Sequence, residues 1–128
     1  MKTFTFYYDP TATIKNAREL MINAVNSGKA YKEANQIRSA SLKALLSVAT
    51  ENRLNLFKII HNDKPESLYE LSKKIESDIS YVSKEVKVLE GLGLISLIKE
   101  TINGRDRIKP VALYDRIVLD FDLANKKV

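Results

Sequence analysis

The stretch SLYELSKKIESDISYVSKEVKVLEGLGLISLIKETINGRDRIKP, residues 67–110, decides the fold of this chain. Its first apolar residues recur at i, i+3 and i+7, which places them on one face of a helix: Leu68, Leu71 and Ile75. Ser67 precedes them as a helix N-cap, and Glu70 stands three residues later, as in a capping box. The spacing predicts a first helix over Ser67–Ile75.

A second helix is predicted after the polar break at residues 76–78. Asp78 can cap its N-terminus, because a carboxylate suits the positive end of the helix dipole. Its buried stripe is Val82, Val86 and Leu89. The helix is expected to run to Glu90 or Leu92, because Gly93 suits a left-handed C-terminal residue. Glycines that end a helix do not form a phosphate-binding loop, which needs them before one.

The first two turns of this second helix carry small hydroxyls, an aromatic ring and lysines: Ser80, Tyr81, Ser83, Lys84 and Lys87. Small polar residues permit close approach to a DNA major groove, and lysines can meet phosphates or guanine edges. We therefore expect these five residues to contact DNA. Glu85 lies on the same helix and could either read a cytosine amino group or pair with a lysine, the second being the simpler interpretation.

A charged β-hairpin is predicted to follow. Ile95 and Leu97 alternate with Ser96 and Ile98, and Asn103-Gly104 is a strong signal for a tight hairpin turn before a return strand over Arg105–Leu113. The tip and return strand carry DNA-binding candidates: Asn103, Arg105, Arg107 and Lys109. The alternative is a solvated hairpin whose charges protect its edge from aggregation. Two helices followed by such a hairpin follow the plan of a winged helix-turn-helix.

Shorter elements are predicted before this unit. Alternation over Thr3–Tyr8 indicates a strand, and apolar residues at helical spacing indicate a helix over Ile14–Val25. The basic stretch Lys29–Arg38 could be a loop, a continued helix or an arm along DNA. Two short helices should follow: one starts at Ser39 or Ser41 and carries Leu42, Leu45, Leu46 and Val48, and the other is capped by Thr50 and carries Leu54, Leu56, Phe57 and Ile60.

A second terminal strand is predicted over Tyr114–Phe121, where apolar and polar residues alternate. The simplest way to cover it is pairing with Thr3–Tyr8, either within one subunit or across a dimer. Pairing across a dimer would mean that removal of residues 1–10 yields a monomer.

Four motifs resemble a known family: SLKALLSVATENRLNLFKII (residues 41–60), PESLYELSKKI (65–75), YVSKEVKVLEGLGLI (81–95) and LYDRIVLDF (113–121). Through them, residues 39–121 resemble prokaryotic winged-helix regulators of the MarR/ArsR-like superfamily, in particular the HVO_A0114-type DNA-binding regulators. The opening MKTFTF is similar to that group's N-terminal strand. The resemblance implies sequence-specific binding of duplex DNA by a homodimer, and some members of the group are paired with a toxin.

Composition narrows the function classes. The 128 residues carry a net charge of +5, which favours an acidic partner, yet residues 62–112 hold nine basic and nine acidic side chains. Cysteine is absent, and no apolar run reaches the roughly 20 residues of a membrane span, so we expect a cytoplasmic protein with no membrane partner.

The lone His61 lacks a nucleophile partner, and Asp115, Asp120 and Asp122 suit exposed strand positions. We expect no catalytic, cofactor-binding or metal-binding residues.

The sequence thus predicts an α+β fold, mainly α: a winged helix-turn-helix with an N-terminal strand-helix extension and a C-terminal strand. The expected divisions are residues 1–38, 39–113 and 114–128. The expected function is a homodimeric, double-stranded-DNA-binding transcriptional repressor. The alternative is a protein-interaction module, such as an antitoxin that binds a cognate toxin.

Overall fold

The computed structural model describes residues 1–10 and 35–123. The predicted helix over Ile14–Val25 lies outside them. The described residues form four helices and five strands in the order β1 (Thr3–Tyr8), β2 (Gln36–Ser39), α1 (Leu42–Val48), α2 (Glu51–Asp63), α3 (Leu68–Lys74), α4 (Ile79–Leu92), β3 (Ile95–Ile102), β4 (Arg105–Ala112) and β5 (Arg116–Phe121). The fold is α+β, with about equal helix and strand in the described part rather than the expected excess of helix.

Side-chain caps define where the helices begin. The Ser41 hydroxyl accepts a hydrogen bond from the Ala44 N–H at 3.1 Å, and the Thr50 hydroxyl accepts one from the Arg53 N–H at 3.2 Å. Each cap satisfies a backbone donor that has no partner inside the helix. The Thr50 cap lets α2 begin at Glu51, three residues after α1 ends at Val48.

The cap of α3 differs in one detail from the predicted capping box. Ser67 accepts from the Glu70 N–H at 3.0 Å, as expected. The Glu70 carboxylate accepts from the Glu66 N–H at 3.1 Å, one residue before the donor that a capping box would use. The helix itself spans Leu68–Lys74, with Ile75 as its C-cap.

The second predicted helix and the hairpin are confirmed as α4, β3 and β4. Val82, Val86 and Leu89 are fully buried, and Asp78 occupies the N-cap position without a side-chain hydrogen bond. Gly93 ends α4 at φ 92°, in the left-handed region that favours glycine. At the hairpin tip, Asn103 and Gly104 have φ values of 54° and 77°, as a tight type I′ turn requires.

Three strands form a parallel sheet in the order β2-β1-β5. In its register Phe4 lies beside Ile117 and Phe6 lies beside Leu119, so the terminal strands pair within one chain. Because β1 is the central strand, we expect removal of residues 1–10 to disrupt the sheet rather than merely to dissociate a dimer. The strand β2 accounts for the end of the basic stretch, for which the sequence left three alternatives open.

The core lies between one face of this sheet and the helices. Phe4 and Phe6 are buried and pack edge to face, with ring centroids 5.2 Å apart. The same cluster includes buried residues from every described helix, among them Leu45, Ile60, Leu71 and Val86. Contacts of α4 with α2 and α3, and of the hairpin with α2, α3 and α4, join these elements to the same core. None of the helices in the described ranges combines the length and apolar character needed to cross a bilayer.

Candidate functional site

The solvent-facing side of α4 carries four of the five residues predicted from that helix. At about 100° per residue, Ser80, Ser83, Lys84 and Lys87 fall within one arc, opposite the buried stripe. Ser80, Lys84 and Lys87 are exposed, and Ser83 is half-buried. Neither lysine forms an ion pair with any residue in the described ranges. Both ammonium groups are thus available to an anionic ligand.

A groove of about 800 Å³ continues this face toward the hairpin tip. It brings Ser83 together with Asn103, Arg105 and Arg107, residues that the sequence places on separate elements. The groove is formed by the starts of α3 and α4 on one side and by the end of β3 and the start of β4 on the other. We call the exposed arc of α4, this groove and the hairpin tip the α4–hairpin surface.

Apolar side chains also border the groove, and the sequence analysis missed them. Tyr69 is 64% exposed, Ile79 is 47% exposed and Ile102 is 39% exposed. Tyr69 lies off the buried stripe of α3, and Ile79 is the first residue of α4, so both positions on the helices could have been flagged. Their convergence with Ile102 depends on how the hairpin packs.

Two predicted contact residues, Tyr81 and Lys109, lie outside the α4–hairpin surface. Tyr81 points to the other side of α4, where it lines a separate groove with Ile75 and Asp78. Lys109 pairs with Ile98 well away from the hairpin tip and lies near His61 at the end of α2. The structure therefore does not bring these two residues together with Ser83 and Arg105.

Arg107 reaches the groove, but acidic side chains already surround its charge. Its guanidinium lies 3.5 Å from a Glu100 carboxylate oxygen and 3.7 Å from one of Glu66. Arg105, by contrast, is exposed and has no ion pair within the described part of the chain. Of the hairpin cations at the groove, Arg105 is therefore the one without an ion pair among the described residues, although Asp106 lines the same groove.

Glu85 corrects an expectation, since its side chain is not on the exposed arc of α4 and pairs with an arginine rather than a lysine. Its side chain is buried, and its Oε1 accepts a hydrogen bond from Arg53 Nε at 2.9 Å. The physical reason is its place on α4, between the exposed arc and the buried stripe, facing α2. Glu85 is thus a structural residue.

His61 lies at the end of α2, as predicted, away from the groove. Its Nδ1 is 2.8 Å from Asn62 Oδ1 and its Nε2 is 3.0 Å from Asp115 Oδ1. Hydrogen bonds to Asn62 and Asp115 raise the pKa of His61, and the His61 hydrogen bond lowers the pKa of Asp115. Both ring nitrogens can donate to these oxygens only in the imidazolium form. In the part of the chain that the structure describes, no three His, Asp or Glu side chains cluster as metal ligands would.

Comparison with known proteins identifies one family. The family model HVO_A0114 matches residues 48–119, which run from the end of α1 into β5 and include the α4–hairpin surface. Comparisons with curated proteins and with solved structures return no match. The matched segment covers more than half of the chain, so this protein belongs to the HVO_A0114 family.

Proposed function

We propose that this protein is a sequence-specific, double-stranded-DNA-binding transcriptional regulator with a winged helix-turn-helix fold of the MarR/ArsR-like type. In this assignment α3 and α4 are the helix-turn-helix, α4 is the recognition helix and the β3–β4 hairpin is the wing. The observation that carries the proposal is the α4–hairpin surface, where Lys84, Lys87 and Arg105 have no acidic partner in the described part of the chain.

The shape of α4 supports this assignment. Fourteen residues give a helix of about 21 Å, and a B-DNA major groove about 12 Å wide admits one helix. Ser80 and Ser83 keep the exposed arc narrow, so that backbone and bases can approach each other closely. Lys84 and Lys87 lie one turn further along, within reach of phosphates or guanine edges.

The hairpin would then lie on the backbone or in the minor groove beside the recognition helix. Arg105 and Asn103 at its tip supply a cation and an amide for those contacts. Two copies would place their α4 helices in successive major grooves, about one turn of duplex apart. Occupancy of a promoter suffices to block transcription, so we propose a repressor that acts in the cytoplasm.

The experiment compares two double variants of the full chain in DNA binding. Lys84→Ala with Lys87→Ala removes two cations from the α4 surface, and Lys43→Ala with Lys58→Ala removes two exposed cations from α1 and α2. If Lys84 and Lys87 contact DNA, the first variant loses DNA affinity and its salt dependence falls by about 2 in slope. The second retains both. An equal loss of DNA affinity in the two double variants would show that only the net charge of the protein matters and would contradict the proposal.

A protein-interaction module remains the second candidate, and the exposed apolar rim of the groove favours it. Tyr69, Ile79 and Ile102 offer an apolar patch of the kind that binds a protein partner, such as a toxin. This function would survive the loss of Lys84 and Lys87 and would fail on Tyr69→Ser. DNA binding, by contrast, would be lost with Lys84 and Lys87. The lysine double variant and Tyr69→Ser therefore separate the two candidate functions.

A further inference from the structure

The strand β5 leaves one edge of the sheet without a strand partner in the described part of the chain. The Lys2 carbonyl accepts from the Asp115 N–H at 2.8 Å and from the Arg116 N–H at 3.2 Å. Thr3 pairs with Arg116 in the register, and the Thr5 N–H donates to Asn35 on the β2 side, so the backbone groups of Arg116 point toward β1. Backbone direction alternates along a strand, and the N–H and C=O groups of Ile117 and Leu119 therefore point away from β1, to the open edge. Such groups can pair with another strand.

The sequence of β5 complements itself when two copies run antiparallel. The segment Arg116-Ile117-Val118-Leu119-Asp120 has opposite charges at its ends and an apolar centre. A two-fold axis at Val118 sets Arg116 opposite Asp120 of a second copy, and Asp120 opposite Arg116 of that copy. The same axis sets Ile117 opposite Leu119, whose outward backbone groups then exchange hydrogen bonds.

The register places the charged pairs favourably. With Ile117 and Leu119 hydrogen-bonded across the axis, Arg116 and Asp120 occupy non-hydrogen-bonded pairs, in which side chains lie closer together. Both side chains are exposed, and neither has an ion pair in the described ranges. Each copy thus offers one free cation and one free anion at matching positions.

An incompletely covered apolar side chain lies at the same edge. Leu119 lies on the same face of the sheet as the buried residues Phe4 and Phe6, yet it is 40% exposed. It borders a groove of about 410 Å³ between β5 and α2, where Leu54 and Ile117 supply further apolar surface. Ile117 of a second copy, paired opposite Leu119, would cover part of this surface.

We propose that two copies of this chain associate through antiparallel pairing of β5 with β5 about Val118, which joins their sheets into one continuous sheet. The partner is a second copy of this chain, because an antiparallel copy of β5 places Asp120 opposite Arg116 and Arg116 opposite Asp120. The biological role of this dimer rests on the proposed function, since a dimeric DNA-binding protein needs a self-complementary surface. The pairing itself requires no DNA.

The test uses charge reversal and measures the dimer dissociation constant of the full chain by analytical ultracentrifugation without DNA. The wild-type protein is expected at twice its chain mass of 14.5 kDa. Arg116→Asp and Asp120→Arg each set like charges opposite each other at both ends of the pairing. Each single variant should raise the dissociation constant about tenfold or more. The double variant, Arg116→Asp with Asp120→Arg, should restore it.

Controls keep the result specific. Lys43→Asp makes the same change in net charge on α1 as Arg116→Asp makes on β5 and should leave the dimer unchanged, and circular dichroism establishes that each variant is folded. A monomeric wild-type protein, single variants that dimerise normally, or a double variant that fails to recover would each overturn the proposal. Lys84→Ala with Lys87→Ala should remain dimeric, so failure of this inference and failure of DNA binding are read separately.

Discussion

Arg53 on α2 and Glu85 on α4 form an ion pair at 2.9 Å, and only 14% and 12% of their respective side chains are exposed. The same guanidinium donates from its Nη1 to the Val48 carbonyl at 3.0 Å and to the Ser47 carbonyl at 3.3 Å. Arg53 therefore joins the end of α1, the first turn of α2 and the inner side of α4. This contact fixes the helix whose opposite side carries Lys84 and Lys87.

Loss of the Glu85 carboxylate should destabilise the fold. Glu85→Ala leaves a largely buried guanidinium without its acceptor, and we expect the free energy of unfolding to fall by about 2 kcal/mol. Glu85→Gln keeps an acceptor oxygen and should cost less. Urea denaturation measures both. A Glu85→Ala protein as stable as the wild type would show that the pair does not fix α4.

The contact between His61 and Asp115 should make stability depend on pH. The raised pKa of His61 means that its contribution is full below about pH 6.5 and is lost as the pH rises through the folded-state pKa. The lowered pKa of Asp115 means that its contribution is present above about pH 3.8 and is lost as the pH falls through the folded-state value. The pair therefore stabilises most between these two limits.

Asp115→Asn tests this by thermal unfolding across the pH range. Its deficit in melting temperature relative to the wild type should be largest near about pH 5.5 and should shrink as the pH rises through the folded-state pKa of His61. Asp63→Asn is the control, because Asp63 pairs with a lysine, Lys74, rather than with a histidine. A deficit for Asp115→Asn that does not change with pH would contradict the pairing with an imidazolium.

The two hairpin arginines should differ in their effect on DNA binding. Arg105 has no acidic partner in the described part of the chain, and its replacement by Ala should reduce the salt-dependence slope by about 1. Arg107→Ala should change DNA affinity less, because Glu100 and Glu66 already oppose its charge. Titration of DNA with each variant at several salt concentrations measures both effects. A larger loss of DNA affinity for Arg107→Ala than for Arg105→Ala would contradict the prediction.

Local signals account for what the sequence predicted well. The stripe of α4, the left-handed Gly93 and the Asn103-Gly104 turn each depend on residues within a few positions of one another. The strand β2 was not predicted, because four residues are too few for a clear alternation. The inward direction of Glu85 depends on Arg53, 32 residues away, and the groove depends on how the hairpin packs beside α3. Such contacts are set by tertiary packing.

The central claim is that the α4–hairpin surface reads the sequence of duplex DNA. Fluorescence anisotropy with the full chain should compare the DNA upstream of its own gene with a scrambled duplex, each at several salt concentrations. We predict a preference of about a thousandfold or more for the upstream duplex. Equal binding to both duplexes, lost together as salt rises, would reduce the interaction to attraction between a basic protein and phosphates and would contradict the claim.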